Sequence, residues 1–590
     1  MCRIAGLVNP QNTGNESAKV KAMCDALQHG GPDDEGLYVS KDNSVIFGHR
    51  RLSIIDLSAN GHQPMADSVA EVIISFNGEI YNYPELKHEL KLLGAVFTNN
   101  TDTEVILQAY LHWNVSAFGR LRGMFAFALH DVKTNEVYLV RDSAGIKPLY
   151  YNIQNSQLAF ASEVKAFKAA GISTQGNANW PVYLLAYGHI PEPHTTLQNV
   201  YSLPKSHYLR WQKNGSYTIN AYRVNTETAP VNSKELAQEG IVQALNTAIK
   251  RQLIADAPIG VFLSGGIDSS LITLLANEQI EQLQTVSIFF NEKQYDERTY
   301  QQAVLEKISG KNYTHLVQQQ EFERFFPAVL QAMDMPTTDG INSWFISKYA
   351  REAGLKTVLS GLGGDELFGG YPSFHRIKYL EYLKKLPAAA LSLFSLAASA
   401  GYKKISYLAN NGLNADYLAL RGIFSINEIA AFTGTSSIHI KDILFADSMP
   451  DKTPYDKLKA ARLEGGLYMK NQLLRDTDMM SMQHGLEVRV PFLDEDFTAF
   501  TESINPEIRF AAAPKQLLID SFKNLLPAAV WQRKKMGFTF PLQQWMAANK
   551  DISAVENYRG ALAKQKIKEF KTGKLHWSRA FALFQVQGHV

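Results

Sequence analysis

The chain has 590 residues, too many for one hydrophobic core, so two or three domains are expected. Apolar residues make up 45% and charged residues 20%, an ordinary globular mix, and a net charge of +2 gives no case for nucleic acid or a membrane as partner. Two cysteines, Cys2 and Cys24, exclude a disulfide scaffold and predict a reducing, cytoplasmic setting.

The first nine residues, Met-Cys-Arg-Ile-Ala-Gly-Leu-Val-Asn, hold no long apolar run and do not read as a signal peptide. Residues 18–28 read as a helix that buries Cys24. Short apolar runs at 45–48, 72–76, 125–129 and 137–140 are mostly bounded by Gly, Asn or Asp. With a helix over 102–112 they predict packed β-sheets carrying a few helices. Residues 212–233 turn polar without a period, which sets a boundary between domains 1–212 and 234–590. Beyond it, strands at 258–263, 285–290 and 356–360 alternate with helices such as 270–282. That alternation predicts a parallel sheet with helices on both faces. From about Tyr379 the chain reads as mostly helical. Residues 388–400 are the most apolar stretch, too short to span a bilayer, and are expected to form a buried helix.

If Met1 is removed, Cys2 carries a thiol and a free α-amine on one carbon. An α-amine titrates near neutrality and can take the thiol proton without a histidine. Amide hydrolysis also needs oxyanion donors and a clamp for the far end of the substrate. Asn77-Gly78, expected just after the strand 72–76, can offer a side-chain amide and a backbone N–H. Arg51 can hold a carboxylate, and Glu79 and Asp102 an ammonium. Singly, each has a plain structural reading: an incidental cysteine, a hairpin turn, a surface ion pair.

Ser264-Gly-Gly-Ile-Asp-Ser-Ser270 follows an apolar run. Its glycines let the backbone approach a phosphate, Ser264, Ser269 and Ser270 add hydroxyls, and the helix that follows adds its positive end. It lacks the Gly-Lys-Ser/Thr ending of a Walker A loop. Asp268 makes sense there as a magnesium ligand, and Asp365, in a second glycine-rich loop at 359–371, can share the ion. Ligands of doubly wound sheets sit at the carboxyl ends of strands, so the two loops are expected to face each other. Ile288 is a candidate adenine contact or plain sheet core.

Cys2-Arg-Ile-Ala-Gly, His29-Gly-Gly-Pro-Asp33, Arg51-Leu-Ser-Ile, Asn77-Gly-Glu-Ile-Tyr81-Asn82, Arg122-Gly-Met-Phe-Ala-Phe, Arg141-Asp142 and Gly145-Ile-Lys-Pro-Leu-Tyr150 resemble the glutaminase domain of class II glutamine amidotransferases. That resemblance implies an N-terminal-nucleophile αββα sandwich, with Cys2 as nucleophile and Asn77 and Gly78 as the oxyanion hole. It further implies glutamine binding by Arg51, Leu52, Ser53, Ile54, Ile55, Asn77, Gly78, Glu79 and Asp102. The loop at 264–270 looks like that of N-type ATP pyrophosphatases. With Tyr295-Asp-Glu-Arg, Asp478-Met-Met-Ser-Met, Leu486-Glu-Val-Arg-Val-Pro-Phe-Leu-Asp494 and Arg533-Lys-Lys-Met-Gly-Phe538, the second half resembles the synthetase domain of asparagine synthetases and of β-lactam synthetase. This implies an α/β domain with a helical C-terminal region. Phe262, Ser264, Gly265, Gly266, Asp268, Ser269, Ser270, Ile288, Ser360 and Gly361 would bind ATP, Asp268 and Asp365 Mg2+, and Lys535 would act in catalysis. Glutamine, ATP and aspartate or another carboxylate are the small-molecule substrates so implied; relatives are often dimers, and the sequence leaves open whether this chain is a homodimer.

Two positions depart from the resemblance. Gly30 stands where the family has Arg, removing a charge near the expected glutamine site. Leu362 stands where asparagine synthetases have a Glu that serves acid/base chemistry. Either Glu366 or Glu487 takes that role, or the acceptor is another carboxylate, such as a surface-sugar uronic acid or a secondary metabolite. The segment 336–342, Pro-Thr-Thr-Asp-Gly-Ile-Asn, also departs and is a candidate for shaping a different acceptor pocket. A weakened binding or regulatory protein is the remaining alternative.

Overall fold

The apolar runs of the first half close into two six-stranded antiparallel sheets. This computed structural model describes residues 2–587 apart from 12, 13, 68, 70, 224–228, 447, 449, 450 and 512. Met1, whose removal the sequence reading requires, lies outside the described residues. In the first sheet Arg3–Val8 is a central strand, paired with Val45–Arg51 on one side and Gln157–Ala161 on the other. In the second, Val72–Ile80 pairs with Gly123–Asp131. Ile4, Val8 and Phe47 of one sheet pack on Ala126, Ala128 and Leu139 of the other. The helix Glu16–Ala26 covers the outer face of the first sheet, burying Val20, Met23 and Cys24. The helix Asp102–Trp113 covers the second through Val105, Ile106 and Ala109. Both faces of Arg3–Val8 are therefore covered, and all six residues are buried. The result is the expected αββα sandwich. Its second sheet continues to Tyr217–Ala221, inside the polar segment read as a boundary.

Asn77 and Gly78 lie within the strand Val72–Ile80 rather than after its end. The ladder carries them, with Asn77 opposite Ala126 and Gly78 opposite Phe125. A side chain at Gly78 would be impossible, because its Cβ would fall 2.1 Å from the Met124 carbonyl oxygen.

The second half is built on a five-stranded parallel sheet in the order Asn312–Leu316, Gln284–Phe289, Ile259–Phe262, Thr357–Leu359, Glu487–Arg489. Lys234–Gln252 and Ile267–Asn277 cover one face with Ile241, Leu245, Leu271 and Leu275. Ile341–Glu352 covers the other with Trp344 and Phe345. Beyond Thr357–Leu359 the regular elements among the described residues are helices and helical turns except for Glu487–Arg489. The stretch 388–400 corrects expectation. It forms a short helix, Ala388–Leu393, and one further turn, Phe394–Leu396, and Leu391 is its only buried residue. Small side chains give it little to bury, and Leu393 and Leu396 stay 66% and 76% exposed.

Candidate active site

Cys2 immediately precedes the central strand of the first sheet and is 7% exposed. Its backbone N–H donates to Asn77 Oδ1 at 3.2 Å, tying the two sheets together at the thiol. Burial pushes the Cys2 thiol up, opposed by a backbone hydrogen bond from Leu52 and by the Arg51 guanidinium. Asn77 is completely buried, and its Nδ2 has no hydrogen-bond partner among the described residues. An unmet buried donor costs roughly 1–3 kcal/mol. It therefore marks a place that a ligand acceptor would complete.

The Arg51 guanidinium is gripped by the carbonyls of Ser58, at 2.9 Å, and Asp56, which wraps the following loop around it. In that loop Ser53 N donates to Asp33 Oδ2 at 2.9 Å. The Ile54 carbonyl accepts from Asp256 N at 3.0 Å, so the loop also touches the second half. Leu52 is buried, and Ile55 partly so. Glu79 and Asp102 are buried near each other, with Ile80 N donating to Asp102 Oδ2 at 3.0 Å. Burial pushes both carboxyls up, and Glu487 adds to the push on Glu79. Two buried acids that share one guanidinium, that of Arg489, suit a further ammonium ligand.

In the parallel sheet, Ile259–Phe262 sits between Gln284–Phe289 and Thr357–Leu359, so the strand order reverses there. Such a switch point opens a crevice at the carboxyl ends. The two loops that follow do meet. A Cβ on Gly361 would lie 2.8 Å from Ser269 N, and one on Gly364 would lie 2.5 Å from Asp268 Oδ1, so only glycine fits. In the first loop Ser264 Oγ and Ser269 Oγ are 2.9 Å apart, and Gly266 N donates to Ser264 Oγ at 3.3 Å. Ser270 Oγ is buried with no hydrogen-bond partner among the described residues. Phe262 is partly buried at the strand end, and Ile288 packs in the sheet core. Ser360 N donates to the Arg489 carbonyl at 2.8 Å.

Asp268 and Asp365 come together across Lys515, whose Nζ contacts both carboxylates. The sequence reading missed this lysine. Burial disfavours its charge, but the two aspartates outweigh that and hold it protonated. Lys515 is also held in the left-handed region at φ 61°, a conformation a non-glycine residue adopts at a cost. Its one sequence signal is that it is the sole charged residue in 510–519. Lys535, the lysine the motif pointed to, reaches Asp365 Oδ1 at 2.7 Å from the outside and is half-exposed. Arg533, also missed as a site residue, donates to the Gly265 carbonyl at 3.0 Å and pairs with Glu297 at 2.5 Å.

Of the acids weighed as substitutes at position 362, Glu366 adjoins Asp365 and accepts from Tyr371 Oη at 2.8 Å. Burial, then Asp365, pushes its carboxyl up to about 8. Glu487 lies elsewhere, against the Arg489 guanidinium, which overcomes burial and holds it low. The same guanidinium reaches Glu79 Oε1 at 3.5 Å. Leu362 itself packs on a buried apolar cluster of Leu52, Ile54, Tyr81, Met124, Ile146, Met469, Leu474, Met482 and Val490. Leu52, whose backbone hydrogen-bonds the Cys2 thiol, and Leu362, three residues before Asp365, thus belong to one cluster.

The space beside Gly30 is filled by Arg3, with a Cβ at Gly30 falling 2.7 Å from Arg3 Cγ. Arg3 pairs with Glu163 at 2.7 Å and with Asp478 of the second half at 2.8 Å, and Lys147 joins Asp478 at 3.0 Å. Gly30→Arg is therefore expected to overpack this corner and cost about 1–3 kcal/mol, read as a lower urea midpoint. Asp478→Ala leaves Lys147 buried without its carboxylate and Arg3 with half its neutralisation. It is expected to cost about 3–5 kcal/mol, measured by the same unfolding titration.

Residues 1–223 match the glutamine amidotransferase domain family, and residues 240–568 match the asparagine synthase family. Asparagine synthetase [glutamine-hydrolyzing] 1 of Bacillus subtilis (strain 168) is 30% identical, covering 92% of this chain and 88% of the relative. Asparagine synthetase [glutamine-hydrolyzing] 3 of the same organism is 28% identical over 91% of this chain and 86% of its own. Amidase chry2 of Gibberella zeae is 27% identical over 89% and 85%. By its sandwich and its N-terminal match this protein is a glutamine amidotransferase. Taken over its full length, the chain belongs to the asparagine synthase family of glutamine-hydrolysing, ATP-dependent carbon–nitrogen ligases.

Proposed function

We propose that Cys2 hydrolyses glutamine and that the ammonia amidates a carboxylate activated by ATP at the Asp268–Asp365 loops. Aspartate is the acceptor in this reading, and asparagine, AMP and pyrophosphate are the products. The carrying observation is that Leu52 and Ile54, beside Cys2, and Leu362, beside the Asp365 loop, pack in one apolar cluster. Ammonia is mostly ammonium in neutral water and useless as a nucleophile there, so a dry interior between two such centres has a chemical purpose.

In the first half-reaction the amine of processed Cys2 takes the thiol proton while Asn77 Oδ1 holds that nitrogen. The sulfur attacks the side-chain amide carbon of glutamine. Asn77 Nδ2, with the Gly78 N–H beside it, receives the oxyanion. The C–N bond breaks, the proton goes to the departing nitrogen, and water later clears the thioester. Arg51 holds the carboxylate end of glutamine, and Glu79 and Asp102 its ammonium. In the second, Ser264, Ser269, Ser270 and the backbone from Gly265 cradle phosphates, with Ser360 and Gly361 closing the facing loop. Lys515 and Lys535 offset the charge that builds as the acceptor carboxylate attacks the α-phosphorus. No group of three metal-binding side chains exists among the described residues. Magnesium commonly takes only one or two carboxylates plus phosphates, and Asp268 Oδ1 is a buried oxygen with no hydrogen-bond partner among the described residues. Asp268 and Asp365 therefore fit the ion, which would neutralise phosphate charge there.

A second reading, another carboxylate as acceptor, is favoured by Leu362, which cannot carry a proton. The divergent segment 336–342 supports it, since Asn342 Nδ2 donates to the Phe538 carbonyl at 3.0 Å, close to Lys535 in sequence. The test supplies MgATP and glutamine with aspartate or a panel of other carboxylic acids. Asparagine with stoichiometric pyrophosphate supports aspartate. Pyrophosphate with another acid, and none with aspartate, selects the second reading. Glutamate release that survives Cys2→Ala sinks both.

A further inference from the structure

The helical region after the second glycine loop carries a surface that the two-site chemistry does not use. Tyr379, Tyr382, Leu386, Leu393, Leu396 and Tyr402 are between 42% and 76% exposed and fall within 24 consecutive residues. The helix Ser373–Leu383 buries Phe374, Ile377 and Leu380 inward, yet sets Tyr379 and Tyr382 one turn apart on its outer side. Ala388–Leu393 and Phe394–Leu396 follow in the chain, leave Leu393 and Leu396 exposed, and pack on the turn Lys404–Ala409. Water alone would not select a second apolar face on an already anchored helix.

Charge points to the partner. Arg376, Lys378, Lys384, Lys385, Lys403 and Lys404 stand against one acid, Glu381, in residues 373–404. This short segment is net +5 in a chain whose total is +2, so everything outside it sums to −3. Lys384 is matched by Asp416 at 3.2 Å and Lys403 by Glu428 at 3.1 Å. Arg376, Lys378 and Lys385 are exposed and pair with no carboxylate among the described residues. Lys378 Nζ lies 5.3 Å from the Tyr379 ring centroid, and Lys385 Nζ lies 5.3 Å from that of Tyr382. Exposed lysine ammonium groups set beside exposed tyrosine rings suit the headgroup level of a bilayer. No helix among the described residues is long and apolar enough to cross a membrane. A second copy is the poorer occupant, since two-fold pairing of this face would set like charge against like. Protein interface cores are also depleted in lysine.

We propose that this face, 373–404, docks the protein on an anionic phospholipid surface. The apolar side chains enter the interface, and Arg376, Lys378 and Lys385 meet lipid phosphates. The proposal is independent of the acceptor and of the roles assigned to Cys2 or Lys515.

Flotation of the full chain with vesicles of phosphatidylglycerol and phosphatidylcholine in equal parts tests it. The protein should float at low salt and lose at least tenfold in partitioning on pure phosphatidylcholine. Leu393→Ser/Leu396→Ser and, separately, Lys378→Glu/Lys385→Glu should each lower partitioning at least tenfold while glutaminase activity in solution is unchanged. Failure of the wild type to float at low salt overturns the proposal. So does flotation indifferent to lipid charge, or variants that float as the wild type does. Sedimentation of the same variants reads the competing occupant: a dimer that Leu393→Ser/Leu396→Ser dissociates, with no vesicle binding, would assign the face to self-association.

Discussion

Cys2→Ala is expected to lower glutamine-dependent amide formation by at least about 1,000-fold, because no other group can form the thioester. Ammonium chloride should restore product formation, since the second centre lies elsewhere and keeps Asp268, Asp365 and Lys515. Cys2 is small and nearly buried, so alanine leaves a space of one sulfur atom and a fold close to the original. Asn77→Ala is the companion. Loss of one oxyanion donor typically costs about 100- to 1,000-fold in turnover. It also frees the Cys2 nitrogen from its acceptor, so the loss should lie at the upper end. Glutamate release and product formation, measured with glutamine and with ammonium in parallel, check both. A Cys2→Ala protein that keeps glutamine-driven synthesis would end the reading.

Lys515→Met is expected to do the reverse. Glutamate release in the absence of ATP should stay within a few-fold, while ATP-dependent pyrophosphate release should fall at least about 100-fold. Methionine keeps the length of the stem and removes only the ammonium between Asp268 and Asp365. Lys535 still reaches Asp365, but buried Asp268 is left without its cation, so the variant should also be less stable by about 3–5 kcal/mol. Lys535→Met makes the contrast. Its ammonium is half-exposed and touches one of the two aspartates, so solvent already screens it and the loss should be smaller. An equal or larger defect at Lys535 would reverse the assignment.

Local pattern and fold were largely legible in the sequence. The helix expected at 102–112 is Asp102–Trp113, and strand–helix alternation after Lys234 yielded the parallel sheet. The two glycine loops were expected to face each other, and the contact of Gly361 with Ser269 bears that out. What escaped depends on distant partners. Lys515 meets a carboxylate 247 residues away in the chain, a relation no window of sequence contains. Asn77-Gly78 looked like the end of a strand because Asn and Gly are poor strand formers, but pairing with Gly123–Asp131 carried the ladder through them. Gly30 looked like a lost charge, and the chain had set Arg3 in that space. The apolar stretch at 388–400 looked buried because composition says what a segment could bury and not whether a neighbour arrives to cover it.

Arg489 has a consequence for how variants of this protein are interpreted. Its carbonyl accepts from Ser360 N and its guanidinium lies against Glu79, so one residue touches both proposed centres at once. Damage there will surface in whichever assay is run first. A screen scoring only nitrogen release, or only nucleotide turnover, would file the same lesion under two different diagnoses.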